Sequence, residues 1–209
     1  MTAAQHALNH RLYWAGRSVA GLPLTDVSRD GALTTFTYGT CTPQPAGDEA
    51  TCSPPLEIQV ASICDRNPLI LDIRPRAQFR ARGVSVFDYA EGRFELSAGA
   101  SQIVVWAIPQ LARRAIAALR PVGSTRRLAV LPRPRYPLSY VAQLRRVSDT
   151  YARTGSLRAV RDRLHISNSA VRFELGLARE LGRSRLRLNG AGRPTVRGAG
   201  CRLEPAEPR

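Results

Sequence analysis

The 209-residue chain contains no lysine: all 31 of its Lys+Arg positions are arginine, against 16 Asp+Glu, for a formal net charge of +15. The missing lysine fits a GC-rich genome, because arginine codons are GC-rich and lysine codons are not. The excess of positive charge is a separate matter, since codon usage does not remove acidic residues. Arginine also presents a planar fork of donors suited to phosphates and base edges. No apolar run approaches the roughly 18 residues that would span a bilayer. His6, Asn9, His10, Arg11 and Arg17 break up the continuous apolar stretch a signal peptide would need. These absences read as a cytoplasmic chain without a membrane span.

Catalytic signatures are missing too. There is no Gly-rich phosphate loop, no Gly-x-Ser-x-Gly elbow, no HExxH and no paired His/carboxylate cluster. The three histidines are His6, His10 and His165. His6 and His10 share a helical spacing, but a frayed terminus explains them better than a surface metal site. Asp65 and Asp72 have no catalytic companions. The sequence therefore reads as a non-enzyme without metal or cofactor.

What is present is unevenly distributed. Residues 1–131 hold 14 Arg against 10 acidic residues, whereas residues 132–209 hold 17 Arg against 6. The shorter C-terminal part carries most of the positive field, and a basic domain attracts polyanions, nucleic acid above all. A solvated basic surface is the plainer alternative.

The stretch Leu131-Pro132-Arg133-Pro134-Arg135-Tyr136-Pro137 excludes both a helix and a central strand. It marks a boundary, with residues 1–131 as one module and 132–137 as a stiff linker. Before it, the segments Ala32–Tyr38, Leu56–Val60, Leu69–Leu71, Gly83–Tyr89, Arg93–Leu96 and Ile103–Trp106 carry strand signals separated by turns such as Glu91-Gly92. Leu111 to Leu119 shows helical spacing. The expected fold class is an α+β N-terminal domain, an antiparallel meander plus one helix, joined to an all-α domain.

After the linker the period is helical. Leu138, Val141, Leu144 and Val147, with Tyr151 one turn on, form an apolar stripe that Gly155 ends. Ser156 can cap a second helix bearing Leu157, Val160 and Leu164. His165-Ile166 makes a turn. Ser167, or Asn168 if the start slips by one, can cap a third helix with Val171, Leu175, Ala178 and Leu181 inward. Three short helices sharing one core, with the N-terminal end of the last aimed at a major groove, make a helix-turn-helix unit over 138–188. The Gly-, Pro- and Arg-rich residues 189–209 read as a disordered basic tail.

The run Ser156-Leu-x-Ala-Val-x-x-x-Leu164-His165-Ile166, then Val171-Arg172-Phe173-x-Leu175 and Glu180-Leu181-Gly182, resembles the C-terminal DNA-binding domain of PucR/CdaR-type regulators. The resemblance covers roughly Leu138 to Leu186 and implies double-stranded DNA as partner. It departs at Asn168-Ser169-Ala170, where those regulators carry Arg-Asn-Thr, and at Glu174, where they carry a basic residue. Candidate DNA contacts are Ser167, Asn168, Ser169, Arg172 and Arg179 on the last helix and Arg158 and Arg161 on the one before it. Arg163, Arg183, Arg185 and Arg187 are further candidates for the phosphate backbone, and His165 reads as structural.

Cys41, Cys52 and Cys64 lie in a Pro/Gly-rich stretch, without CxxC spacing or a nearby histidine. Cys41 and Cys52 bracket a loop and could form a disulfide or a redox pair; in a reducing cytoplasm free thiols are the expectation. Leu33 to Leu119 resembles a Cys-containing module of uncharacterised proteins of high-GC Gram-positive bacteria, which assigns no activity. Such modules can accompany the cell envelope, where a Cys41–Cys52 disulfide would persist. The longer helical motif decides for the cytoplasm. The combined reading is a homodimeric transcriptional regulator whose N-terminal module senses an unknown small-molecule effector, dimerises or binds a partner. The alternative is an envelope- or partner-associated protein whose basic helical tail contacts protein or polyanion non-specifically.

Overall fold

The structure, a computed structural model, describes residues 10–43, 52–65 and 75–186. His6, the expected strand at 69–71 and the expected basic tail at 189–209 lie outside them. The fold is mixed α+β, with an antiparallel sheet-rich region and four α-helices among the described residues. These residues fall into two compact units, 10–43, 52–65 and 75–134 forming one and 135–186 the other.

The first unit contains β1 (Tyr13–Trp14), β2 (Ser18–Val19), β3 (Leu22–Asp30), β4 (Leu33–Tyr38), β5 (Thr42–Pro43), β6 (Cys52–Ser53) and β7 (Leu56–Ser62). It continues through β8 (Ala77–Ala81), β9 (Val84–Asp88), β10 (Arg93–Ala98), β11 (Ser101–Ala107), helix α1 (Pro109–Ala118) and β12 (Arg120–Pro121). Eight strands form one sheet in the order β2-β3-β4-β7-β11-β10-β9-β8, every pairing antiparallel. Alternation places Phe36, Ile58, Val60, Ile103, Val105, Phe94 and Leu96 in one apolar core with Ala112, Ala115 and Ile116 of α1.

The turns explain the topology. The β8–β9 hairpin closes through Arg82 (φ 49°) and Gly83 (φ 84°), both left-handed as a two-residue primed turn demands. Arginine is an unusual choice there, and its side chain accounts for it. The Arg82 guanidinium donates to the carbonyls of Ile116 (3.3 Å) and Leu119 at the end of α1, and to that of Leu128. A cation thus satisfies carbonyls at the helix end.

Sequence and structure part company at several places. Strand β3, six consecutive residues of which are exposed, carries no alternating apolar signal and is not among the expected strands. Strand β8 was likewise not expected. His10 is buried rather than frayed. The proline-rich stretch begins inside the first unit: Leu131 is buried, its N–H donates to the Arg82 carbonyl at 2.8 Å, and the Gly99 N–H donates to the Pro132 carbonyl at 3.2 Å. The boundary therefore falls after Pro134, because a backbone poor in donors can still dock by its carbonyls.

The second unit is built from α2 (Leu138–Thr154), α3 (Leu157–Leu164) and α4 (Asn168–Leu186), the last broken at Gly182. Val147, Val160, Val171 and Leu175 form its core, with Tyr151, Leu157, Leu164 and Ile166 packed around it. Gly155 ends α2 with φ 63°, the left-handed conformation that favours glycine.

Candidate nucleic-acid interface

Helices α3 and α4 meet at a three-residue connection whose chemistry is local. Ser156 caps α3 by accepting the Ala159 N–H at 3.3 Å. His165 ends α3 in the left-handed region (φ 53°), a role for the backbone rather than for the imidazole. Ser167 Oγ accepts the Ala170 N–H at 3.1 Å, which makes Ser167 the cap of α4.

Burial sorts the faces of α4. Ala170, Val171, Phe173, Glu174, Leu175, Leu177, Ala178 and Leu181 are buried, so the helix is enclosed well beyond its expected stripe. Among the α4 residues whose side chains are described, Asn168, Arg172, Gly176 and Arg179 form an exposed line. Arg172 and Arg179 form no ion pair among the described residues. Nothing is described of the Ser169 side chain.

Two of the departures from the PucR/CdaR pattern take on a new meaning. Ala170 is buried, so a hydrogen-bonding side chain there would not meet solvent or DNA. Glu174 is 1% exposed and accepts a hydrogen bond from Gln143 Nε2 of α2 at 2.5 Å. Its carboxylate belongs to the interior of the helical unit, not to its surface. Sequence reading gave both only as departures from the family pattern, since their burial depends on the packing of α2.

On α3 the candidate cations are less free. Arg158 Nε lies 3.7 Å from Asp162 Oδ2, and Arg161 donates from Nε to Asp162 Oδ1 at 2.7 Å. One carboxylate thus sits between the two arginines. Such exposed pairs are weak, and each cation can be drawn away by a phosphate. Arg163 is exposed on the same helix.

The first unit holds a second polar assembly that sequence reading did not single out. On the sheet face opposite α1, Glu95 is buried and accepts from Gln102 Nε2 at 2.9 Å and from the Arg93 guanidinium at 3.2 Å. The Arg93 guanidinium also lies over the rings of Tyr89 (5.0 Å) and Trp106 (5.6 Å). The spacing of Arg93, Glu95 and Ser97 on β10 did carry the signal, since alternate residues share a face.

Cys41 and Cys64 are both disulfide-bonded, against the expectation of free thiols. Cys41 lies beyond the end of the sheet where Tyr38 pairs with Leu56, and Cys64 beyond the other end of β7, past Ser62. About 20 Å of strand separates those ends, well over the roughly 7 Å that a disulfide tolerates between Cα atoms, so the two belong to different disulfides. The β5–β6 register pairs Pro43 with Cys52, which puts the backbone around Cys41 and Cys52 in one short hairpin. Among the described residues no group of three or more His, Cys, Asp or Glu could hold a metal ion, and no helix is long and apolar enough to cross a membrane.

Comparison with known protein families, curated proteins and solved structures finds no match to this chain, so the helical unit is read from its own residues.

Proposed function

We propose that the chain is a DNA-binding transcriptional regulator in which α3 and α4 act as a helix-turn-helix of PucR-like type. The observation that carries the reading is the exposed line on α4, where Asn168, Arg172 and Arg179 reach solvent beside the buried Ala170, Val171, Phe173, Leu175 and Ala178. Asn168 reads a base edge near the helix start, Arg172 takes a phosphate or a guanine, and Arg179 holds the backbone further along. Ser167 is spent on the helix cap, so its part is to set the start of α4. Arg158 and Arg161 add phosphate contacts after exchanging Asp162 for DNA. One such unit reads one half-site, so the functional form is a symmetric dimer on a two-fold operator.

Selection from a random duplex pool tests this reading. Enrichment of two half-sites separated by about one helical turn, or a multiple of it, is the expected outcome. Equal recovery of all sequences would reduce the protein to a non-specific polyanion binder.

A second reading rests on the disulfides. Disulfides persist mainly in oxidising compartments. The disulfide-bonded states of Cys41 and Cys64 favour an envelope- or partner-associated protein whose helical unit contacts protein or polyanion. Thiol alkylation of the native protein, drawn rapidly into acid from its own cells, separates the readings. Reactive Cys41 and Cys64 belong with the cytoplasmic regulator; a fully blocked chain belongs with the envelope.

A further inference from the structure

We propose that an open cleft over β7 and β11 of the first unit is a binding site for a small organic cation. This inference is independent of the DNA-binding reading. The cleft has a volume of about 660 Å³, within the usual range for small-molecule sites. Pro54, Pro55 and Ile108 give it apolar walls, and Ile108 is 64% exposed there. Its polar side chains are Ser53, Glu57, Gln59 and Glu91. In a chain of net charge +15, no arginine among the described residues lines this cleft.

The sheet register gives the site its order. Trp106 of β11 pairs with Glu57 of β7 on one side and with Arg93 of β10 on the other. Arg93 covers the indole from its own side, with its charge balanced by Glu95, and does not line the cleft. Trp106 and Glu57 do line it, which sets an aromatic ring beside a carboxylate. That pairing recognises a guanidinium or ammonium group by charge and by the ring quadrupole together. Gln59 Nε2 donates to Glu57 Oε1 at 2.5 Å and holds the carboxylate in place. Glu91 supplies a second negative charge from the turn before β10. The class of ligand is an amine or guanidine.

Arginine amide is a suitable probe, with maltose as a neutral polar control. The chain has two tryptophans, so a Trp14→Phe background leaves Trp106 as the reporter. Saturable change of Trp106 fluorescence with arginine amide, and none with maltose, is the expected result in the full oxidised chain. Binding weakens as salt rises, and Glu57→Gln or Glu91→Gln each weakens it about tenfold. Circular dichroism of both variants establishes that they are folded, and the salt series on the Trp14→Phe protein tests the charge requirement without them. Saturation by maltose instead, salt-independent binding, or no saturation with either probe would overturn the proposal.

Discussion

The Ser167 hydroxyl accepts the backbone N–H of Ala170 at 3.1 Å, and that single bond fixes where helix α4 begins. Moving the start by one residue would rotate Asn168 and Arg172 out of their exposed line. Ser167→Ala therefore has two consequences. It lowers the stability of the helical unit by about 1 kcal/mol, the usual worth of such a cap, and it weakens sequence preference on DNA. Ser167→Asp, which keeps a capping acceptor, restores the stability. Chemical denaturation followed by helical circular dichroism reads both.

Asp162 stands between Arg158 and Arg161 and lowers the positive potential of α3. On the proposed DNA-binding reading, Asp162→Asn frees both guanidinium groups for phosphates and removes a negative charge that would repel them. DNA affinity rises, most at low salt, where surface charges are least screened. Unchanged affinity at low salt would place α3 away from the nucleic acid.

Gly92, with φ +73°, lies so close to β11 that an added Cβ would come within 2.6 Å of the Ala107 carbonyl oxygen. Gly92→Ala costs about 1–3 kcal/mol of stability in the first unit through strain and displacement of that strand. Gly31 shares a positive φ (+55°) but meets nothing within 4 Å, so Gly31→Ala is the milder variant. Urea unfolding of the two gives the comparison.

The Tyr38 phenol is fully buried, and its oxygen accepts the Ala15 N–H at 2.9 Å. Burial raises its pKa from 10.0 to about 12, while the Ala15 N–H and Arg120 pull the other way. A phenol whose pKa is raised by folding favours the folded state while neutral. That contribution is complete below pH 10 and is lost as pH climbs toward about 12. The difference in phenolate absorbance between the native protein and Tyr38→Phe therefore develops near the upper value. A difference centred at pH 10 would mean that the phenol is not enclosed.

The helical unit was largely legible in the sequence because its signals are local. Ser156, Gly155, His165 and Ser167 each act within four residues of themselves, and the apolar stripe of α2 repeats with the helical period. Glu174 was not legible, since its burial depends on Gln143, thirty-one residues away. In the first unit the central strands β4, β7, β9, β10 and β11 announced themselves by alternation or by apolar content. Strand β3 did not, because beyond its short pairing with β2 at Leu22 and Pro23 it pairs with β4 alone among the described residues, and a stretch with its side chains in water needs no apolar face. The Arg82 clamp escaped notice for a related reason. Its acceptors are carbonyls on a distant helix end, and backbone acceptors leave no mark in the sequence. The Glu57–Trp106–Arg93 row, likewise, exists only through the register of three strands.

Arg172 is the residue on which the central claim can be tested most directly. Fluorescence anisotropy of a selected duplex over a range of salt concentrations, with the unsubstituted chain and with Arg172→Ala, measures both affinity and the slope of log K against log salt. Arg172→Ala is expected to weaken binding and to reduce the salt slope by about one, as for the loss of one phosphate contact, or to relax preference at one base position if it reads guanine. Identical affinity, slope and base preference in the two proteins would contradict the assignment of α4 as the reading helix.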